Sequence, residues 1–257
     1  MFTRLAVDDL GCEVILPTKV RRVVSLVPSL TESIALTAPG LLVGATDWCT
    51  HPPELMVTRV RGTKNPDLEA ITALQPDLVI ANQEENRATD LDTLRAVGLP
   101  VWVTAPQTVA EALDSLERML TLACGLKLPD WHRIARESWS RPAAATSLTA
   151  LVPIWRRPWM ALGSATFAGD VLARLGVRNV LAEHPERYPK IELDALRGTV
   201  DLVVLPDEPY AFSPSDGPEA FADWEVPVVC VSGRHLTWYG PSLTEAAAVL
   251  RAQLLAQ

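Results

Sequence analysis

Side chains suited to gripping a flat ligand recur at the ends of apolar runs in this chain. Trp48 to Pro53 follows Leu41-Leu42-Val43-Gly44-Ala45, and Asn82-Gln83-Glu84-Glu85-Asn86 follows Leu78-Val79-Ile80-Ala81. Arg234-His235-Leu236-Thr237-Trp238-Tyr239-Gly240 follows Val228-Val229-Cys230-Val231, while Pro28-Ser29, Thr63-Lys64-Asn65, Trp159, Tyr188-Pro189 and Pro209-Tyr210 stand in comparable places. Open parallel sheets hold ligands beyond the carboxyl ends of their strands, where rings can stack on them. One such aromatic serves equally well as packing. Their recurrence in loops, a poor place for large rings, favours a cleft.

Bond-making constellations are weak. Gly163-Ser164-Ala165 lacks the Gly-x-Ser-x-Gly pattern of a nucleophile elbow, and neither a Gly-rich phosphate loop nor Gly-x-Gly-x-x-Gly occurs. His132 falls in a helical stretch and reads as a solvated helix residue; His184, before Pro185, reads as loop surface. His51 and His235 lie in the aromatic loops, where either could line a site or supply an axial ligand to a bound metal. The pairs Glu84-Glu85 and Asp207-Glu208 read as solvated loop charges. Cys12, Cys49, Cys124 and Cys230 form no Cys-x-x-Cys pair, and the expectation is buried small apolar residues, not a zinc site or disulfide framework.

The elements that must position these loops are written twice. In the first copy Asp67-Leu68-Glu69-Ala70-Ile71 opens a short helix, Gln75-Pro76-Asp77 stops it, Leu78 to Ala81 is a strand, and Gly98-Leu99-Pro100 leads into Val101-Trp102-Val103. In the second, Ile191 to Leu196 is followed by Val200-Asp201, the strand Leu202-Val203-Val204-Leu205, and Val226-Pro227 before Val228 to Val231. The repeat predicts an α/β fold of two Rossmann-like lobes, each with a central, mainly parallel sheet, and a ligand cleft between them. Residues 1–105 would form the first lobe and 143–257 the second. Between them, in 106–142, helical spacing from Val109 to Leu126 and again from Trp131 to Trp139 predicts one long bridging helix, closed by Pro142 and the Ala143-to-Thr149 tract. A hairpin is expected over Phe2 to Pro17, and a strand over Arg22 to Val27. The helix after that strand would be capped by Ser29 or Thr31, with Glu32 in its first turn; a last helix covers Leu243 to Leu255.

The chain has 257 residues and a formal net charge of −8, with the apolar fraction of a globular protein that has a real core. No basic block exceeds the pairs Arg21-Arg22 and Arg156-Arg157, so nucleic acid is not an expected partner. No apolar run nears the roughly 20 residues of a membrane span, and Asp8, Asp9 and Glu13 stand where a signal peptide would be apolar. Cys12 follows Asp9-Leu10-Gly11 without the hydrophobic segment of a lipoprotein signal. The expectation, as the sequence stands, is a cytoplasmic monomer, or a periplasmic one if a leader has been removed.

Three stretches carry a family likeness: Arg22-Val23-Val24-Ser25-Leu26-Val27-Pro28-Ser29-Leu30-Thr31-Glu32; Val43-Gly44-Ala45 with His51-Pro52-Pro53-Glu54; and Asp67-Leu68-Glu69 through Leu74-Gln75-Pro76-Asp77-Leu78-Val79-Ile80-Ala81. They resemble the class III substrate-binding proteins, or helical-backbone metal receptors, and within these the vitamin B12-binding family most. Weaker similarity runs from Tyr188-Pro189-Lys190-Ile191 to the end. The resemblance implies a non-enzymatic binder of cobalamin, a related corrinoid or another metal chelate, with no intrinsic cofactor. Its partner would be an ABC importer, or it would be a cytoplasmic relative that hands its ligand on; siderophore and haem binding are the alternatives within the superfamily. It further implies that Pro28, Ser29, Leu30, Trp48, His51, Thr63 with Lys64, and Asn82 line the first lobe. Trp159, Tyr188, Arg234, His235, Trp238 and Tyr239 would line the second. Thr63 and Asn82 stand where the B12-binding family usually has aromatics. Glu69 and Asp194, at equivalent points of the repeat, match the acidic residues that dock on transporter arginines; as helix N-terminal charges they would also favour the helix dipole. The rival class, a metal-cluster reductase-like enzyme, needs several cysteines converging on one site, and only Cys49 and Cys230 fall near strand ends.

Overall fold

The computed structural model describes residues 3–140 and 148–255, and the chain falls into two compact units. The first is Met1–Pro106 with Glu111–Arg133 and Tyr239–Pro241; the second is Gln107–Ala110, Ile134–Trp238 and Ser242–Gln257. Among the described residues no helix is long and apolar enough to cross a membrane.

The first unit holds β1 (Thr3–Val7), β2 (Glu13–Pro17), β3 (Val23–Ser25), α1 (Pro28–Thr37), β4 (Leu42–Ala45), β5 (Thr58–Arg59), β6 (Arg61–Gly62), β7 (Asn65–Pro66), α2 (Leu68–Ala73), β8 (Leu78–Asn82), α3 (Ala88–Ala96) and β9 (Val101–Thr104). Its main sheet runs β5-β4-β3-β8-β9 with every pair parallel. Strands buried on both faces need continuous apolar runs, which is why β3, β8 and β9 are buried along their whole length. Val24, Val79 and Val103 pack there against Ile71, Leu91 and Leu94. β1 and β2 form the expected hairpin. Its turn is built into the unit: Asp8 Oδ1 accepts from the amides of Leu10 and Cys12, and Asp9 takes Ser115 Oγ and Arg118 at 2.5 Å each.

Two local expectations shift. Neither Ser29 nor Thr31 caps α1: the helix begins at Pro28, whose fixed φ suits the first helical position, and Thr31 Oγ1 instead donates back to Val27 O at 2.9 Å. Glu32 consequently lies beyond the first turn, and it is buried. The long helical stretch is divided into α4 (Val109–Arg118), a π turn at Met119–Ala123, and α5 (Asp130–Ser138). Gly125, at φ +70, and Pro129 lie in the break. Pro142 and residues 143–147 of the tract expected to close it lie outside the described residues.

The second unit holds β10 (Leu148–Leu151), β11 (Pro153–Arg156), β12 (Trp159–Ala161), α6 (Phe167–Arg174), β13 (Val177–Asn179), β14 (Leu202–Pro206), β15 (Val228–Val231), α7 (Gly233–Thr237) and α8 (Leu243–Leu255). Its sheet runs β13-β10-β14-β15, again all parallel. Four strands in the first unit, β4-β3-β8-β9, follow the same order, with the second strand outside the first and the third and fourth on the other side. The repeat seen in the sequence is therefore a repeat of topology.

Candidate functional site

In the first unit two buried asparagines tie together the loops beyond the strands. Asn86 Oδ1 accepts from Asn82 N at 2.9 Å, while its Nδ2 donates to Leu26 O at 3.3 Å and to Thr63 O at 3.0 Å. Asn82 Oδ1 accepts from the amides of Glu84 and Glu85, at 2.8 and 3.1 Å. Its Nδ2 donates to Thr104 O and to Tyr239 Oη, at 3.1 and 2.8 Å. The Lys64 ammonium ends on Glu84 O. Gly240 completes the arrangement, because a Cβ there would come within 3.0 Å of Ser29 O and 2.8 Å of Ser33 Oγ. Pro28-Ser29, Thr63-Lys64, Asn82 and Tyr239 are thereby brought together.

Their exposures differ. Ser29, Leu30, Asn82 and Tyr239 are buried, and Leu30 is plain core. Thr63 is half-buried and Lys64 exposed. Trp48 is 65% exposed, its indole Nε1 lying 3.3 Å from where a Cβ on Gly62 would stand. His51 is half-buried, with Nδ1 3.1 Å from Thr50 Oγ1.

In the second unit the loop carrying Tyr188 is zipped along the strand carrying Trp159. Ile191 N donates to Trp159 O, Ala161 N to Pro189 O and Gly163 N to Arg187 O, at 3.0, 3.1 and 2.7 Å. Gly163 permits this approach, since a Cβ there would meet Glu186 O at 2.0 Å. Tyr188 is half-buried, whereas the Trp159 ring is stacked on Phe212 at 6.0 Å, meets Phe221 edge-on at 5.5 Å and lies under Arg156. Trp238 is buried and donates Nε1–H to Glu208 Oε2 at 2.7 Å, with Arg234 over its ring. His235 places Nδ1 2.8 Å from Ser232 Oγ and Nε2 3.2 Å from Glu245 Oε1. The His235 hydrogen bond, and then Arg234, hold the Glu245 carboxyl below the usual carboxylate range. Both His235 nitrogens thus face protein partners.

Three expectations are corrected here. His132 is not solvated but 1% exposed, on the face of α5 shared with Ala135, and its Nε2–H donates to Leu113 O at 2.8 Å. Glu208 is half-buried and engaged by Trp238, not a solvated loop charge. Cys49 and Cys124 are buried as expected, but Cys230 is half-buried and Cys12 lies exposed at the hairpin turn. Among the described residues no group of three or more His, Cys, Asp or Glu side chains is arranged to hold a metal. Two residues essential to the first unit's network, Asn86 and Thr104, were not anticipated from sequence. Their partners come from distant segments, and the one local signal was a second asparagine four residues after the first.

Two shallow grooves open elsewhere on the first unit. One, of about 580 Å³, lies at the amino ends of β3 and β4 beside Arg22, Leu42 and Met56, away from the aromatic loops. The other, of about 500 Å³, runs between α2 and α3 past Leu68, Thr72, Thr93 and Val97, with Glu69 on its rim.

Residues 23–130 match the periplasmic binding protein family. A vitamin B12-binding protein of Pectobacterium carotovorum subsp. carotovorum (strain PC1) is 25% identical over 256 residues, covering 92% of this chain and 89% of that protein. One from Vibrio cholerae serotype O1 is 25% identical over 201 residues, covering 75% and 72%. In fold, the chain is similar to the periplasmic vitamin B12 binding protein BtuF of Vibrio cholerae, with a TM-score of 0.72, 18% identity, and 93% and 98% of the two chains covered. It is similar to the same degree to the periplasmic haem-binding protein BhuT, with a TM-score of 0.73, 21% identity, and coverage of 91% and 97%.

Proposed function

We propose that the chain, whose residues 23–130 match the periplasmic binding protein family, is a member of that family and a non-enzymatic binding protein for cobalamin, a related corrinoid or another large metal chelate. The observation that carries this reading is the alignment with a vitamin B12-binding protein along 92% of the chain. Exposed Trp48 and half-buried His51 in the first unit, and half-buried Tyr188 in the second, are the side chains that would meet the ligand. Thr63 and Lys64 would supply polar contacts at its edge.

A titration with cyanocobalamin, cobinamide, haem and a ferric siderophore tests the proposal. Corrinoid at about 100 times its dissociation constant should stabilise the fold by roughly 2.7 kcal/mol. Haem saturation with a Soret band lost in His51→Ala, together with no corrinoid response, would replace cobalamin with haem. No response to any chelate would end the reading.

Transport is the second part of the proposal. Glu69 and Asp194 are both exposed, Glu69 in the first turn of α2 beside an apolar groove and Asp194 in a single 3-10 turn. Both would dock on an ABC importer, which would place the chain outside the cytoplasm. Reversing both charges should abolish uptake and leave ligand affinity intact, because exposed charges act on the encounter with the partner. Unchanged uptake would favour a cytoplasmic ligand handler.

A further inference from the structure

We infer that Asn82, Asn86 and Tyr239 are positioning residues that fix the first unit's ligand loops before any ligand arrives. The inference rests on the binding-protein reading and concerns that unit alone. Proton counting sets the direction of the network. Thr104 Oγ1 donates its only proton to Ala81 O at 3.0 Å, so toward Tyr239 Oη, 2.8 Å away, it accepts. The Tyr239 hydroxyl therefore donates to Thr104 and accepts from Asn82 Nδ2. The bonds run one way, from the Asn82 amide through Tyr239 and Thr104 into the backbone of β8. Buried bonds aligned like this strengthen one another, and all three side chains are buried. Burial also pushes the Tyr239 phenol well above its ordinary pKa, which keeps the proton in place.

The far ends of the two amides reach the loops. Asn82 Oδ1 gathers the amides of Glu84 and Glu85, while Asn86 clamps Leu26 O and Thr63 O with its donor end and Asn82 N with its acceptor end. Each asparagine uses donor and acceptor together, which neither a carboxylate nor a hydroxyl can reproduce. An aspartate at 82 would set a charged oxygen against the Thr104 carbonyl. These polar atoms are spent inside the protein, so the residues act on a ligand only through the Thr63-Lys64 segment and the Asn82-to-Asn86 turn they hold.

Cyanocobalamin titration and amide hydrogen exchange on the full chain, for wild type, Tyr239→Phe and Asn86→Ala, test the inference. Tyr239→Phe keeps the ring and deletes the relay. The Glu84 and Glu85 amides of the free variant should exchange about tenfold faster, and cyanocobalamin should associate about five- to tenfold more slowly with dissociation little changed. Asn86→Ala should do the same if Tyr239→Phe folds poorly. Unchanged exchange at those amides, or faster exchange with wild-type association, would overturn the inference. If the wild type binds no chelate, the ligand reading fails along with the ligand part of this inference, and the exchange data separately decide whether these residues hold the turn.

Discussion

The two units thread the same strand path with different connecting parts. Each clamps its third strand to its first through an aspartate. Asp77 N donates to Arg22 O at 2.8 Å, and its Oδ2 accepts from Arg21 N and Arg22 N at 2.7 and 3.0 Å. Asp201 N donates to Thr149 O at 2.8 Å, and its Oδ2 accepts from Thr149 N at 2.7 Å. Each enters its fourth strand through a left-handed residue and an apolar-Pro pair: Gly98 at φ +86 before Leu99-Pro100, and Glu225 at φ +56 before Val226-Pro227. Pro100 O and Pro227 O then accept from Val79 N and Val203 N, at 2.8 and 2.9 Å. The connectors are where the units part. Asp67 caps α2 by accepting from Ala70 N, whereas Glu192 makes no side-chain cap and only one 3-10 turn follows it. A core containing Phe212, Phe221 and Trp224 underlies the second sheet, where the cluster around Val24, Val79 and Val103 in the first unit is aliphatic. The strands and their clamps carry the path, and the connecting helices are replaceable.

If that division is right, the core should dominate the stability of the second unit. Phe221 is 1% exposed and touches Trp159 and Trp224, so Phe221→Ala should cost about 3–5 kcal/mol in chemical denaturation. A loss below about 1 kcal/mol would mean the aromatic layer is not what compensates for the missing helix. The clamps come next. Asp77→Ala strips two amides of a charged acceptor and should cost about 1.5–3 kcal/mol. Asp201→Ala strips one and should cost about half as much. Equal costs would show that the second amide bond at Asp77 adds nothing.

How much of this was readable beforehand follows from the range of each interaction. The duplicated strands stood out because buried parallel strands must be near-continuous apolar runs, and Pro76-Asp77 and Gly98-Leu99-Pro100 punctuate them locally. Gly125 and Pro129 were in plain view, yet helical periodicity on either side of them suggested one helix. His132 misled because α5 is polar in composition; only the spacing to Ala135 marks the face that is buried. The aromatic loops were visible as loops, but residue type cannot tell a ring in the core from a ring that meets ligand. Trp48 stays exposed while Trp238 and Tyr239 are buried. The asparagine network was hidden for a plainer reason: Asn86 reaches a carbonyl 60 residues away and Asn82 a hydroxyl 157 residues away.

Helix capping separates the units at a smaller scale. Asp67→Ala should cost about 1 kcal/mol, since it leaves a first-turn amide without its acceptor, while Glu192→Ala should be close to neutral. Amide exchange at Ala70 reads the first directly. A measurable loss at Glu192 would show that it satisfies an amide in solution, and the contrast between the connectors would shrink.

The smallest effect sits at the left-handed pair, where it has opposite signs in the two units. Gly98 has open space where a Cβ would go, so Gly98→Ala adds only the strain of φ +86, about 1 kcal/mol of destabilisation. Glu225 already carries such strain at φ +56. Glu225→Gly should release about 1–2 kcal/mol of it and return roughly 0.5–1 kcal/mol as added freedom of the unfolded chain. The net is a stabilisation of about 0.5 kcal/mol, readable as a shift in denaturation midpoint at constant slope. A Glu225→Gly variant no more stable than wild type would mean that the glutamate side chain makes up for its own backbone, and the two turns would then be alike in shape but not in what holds them.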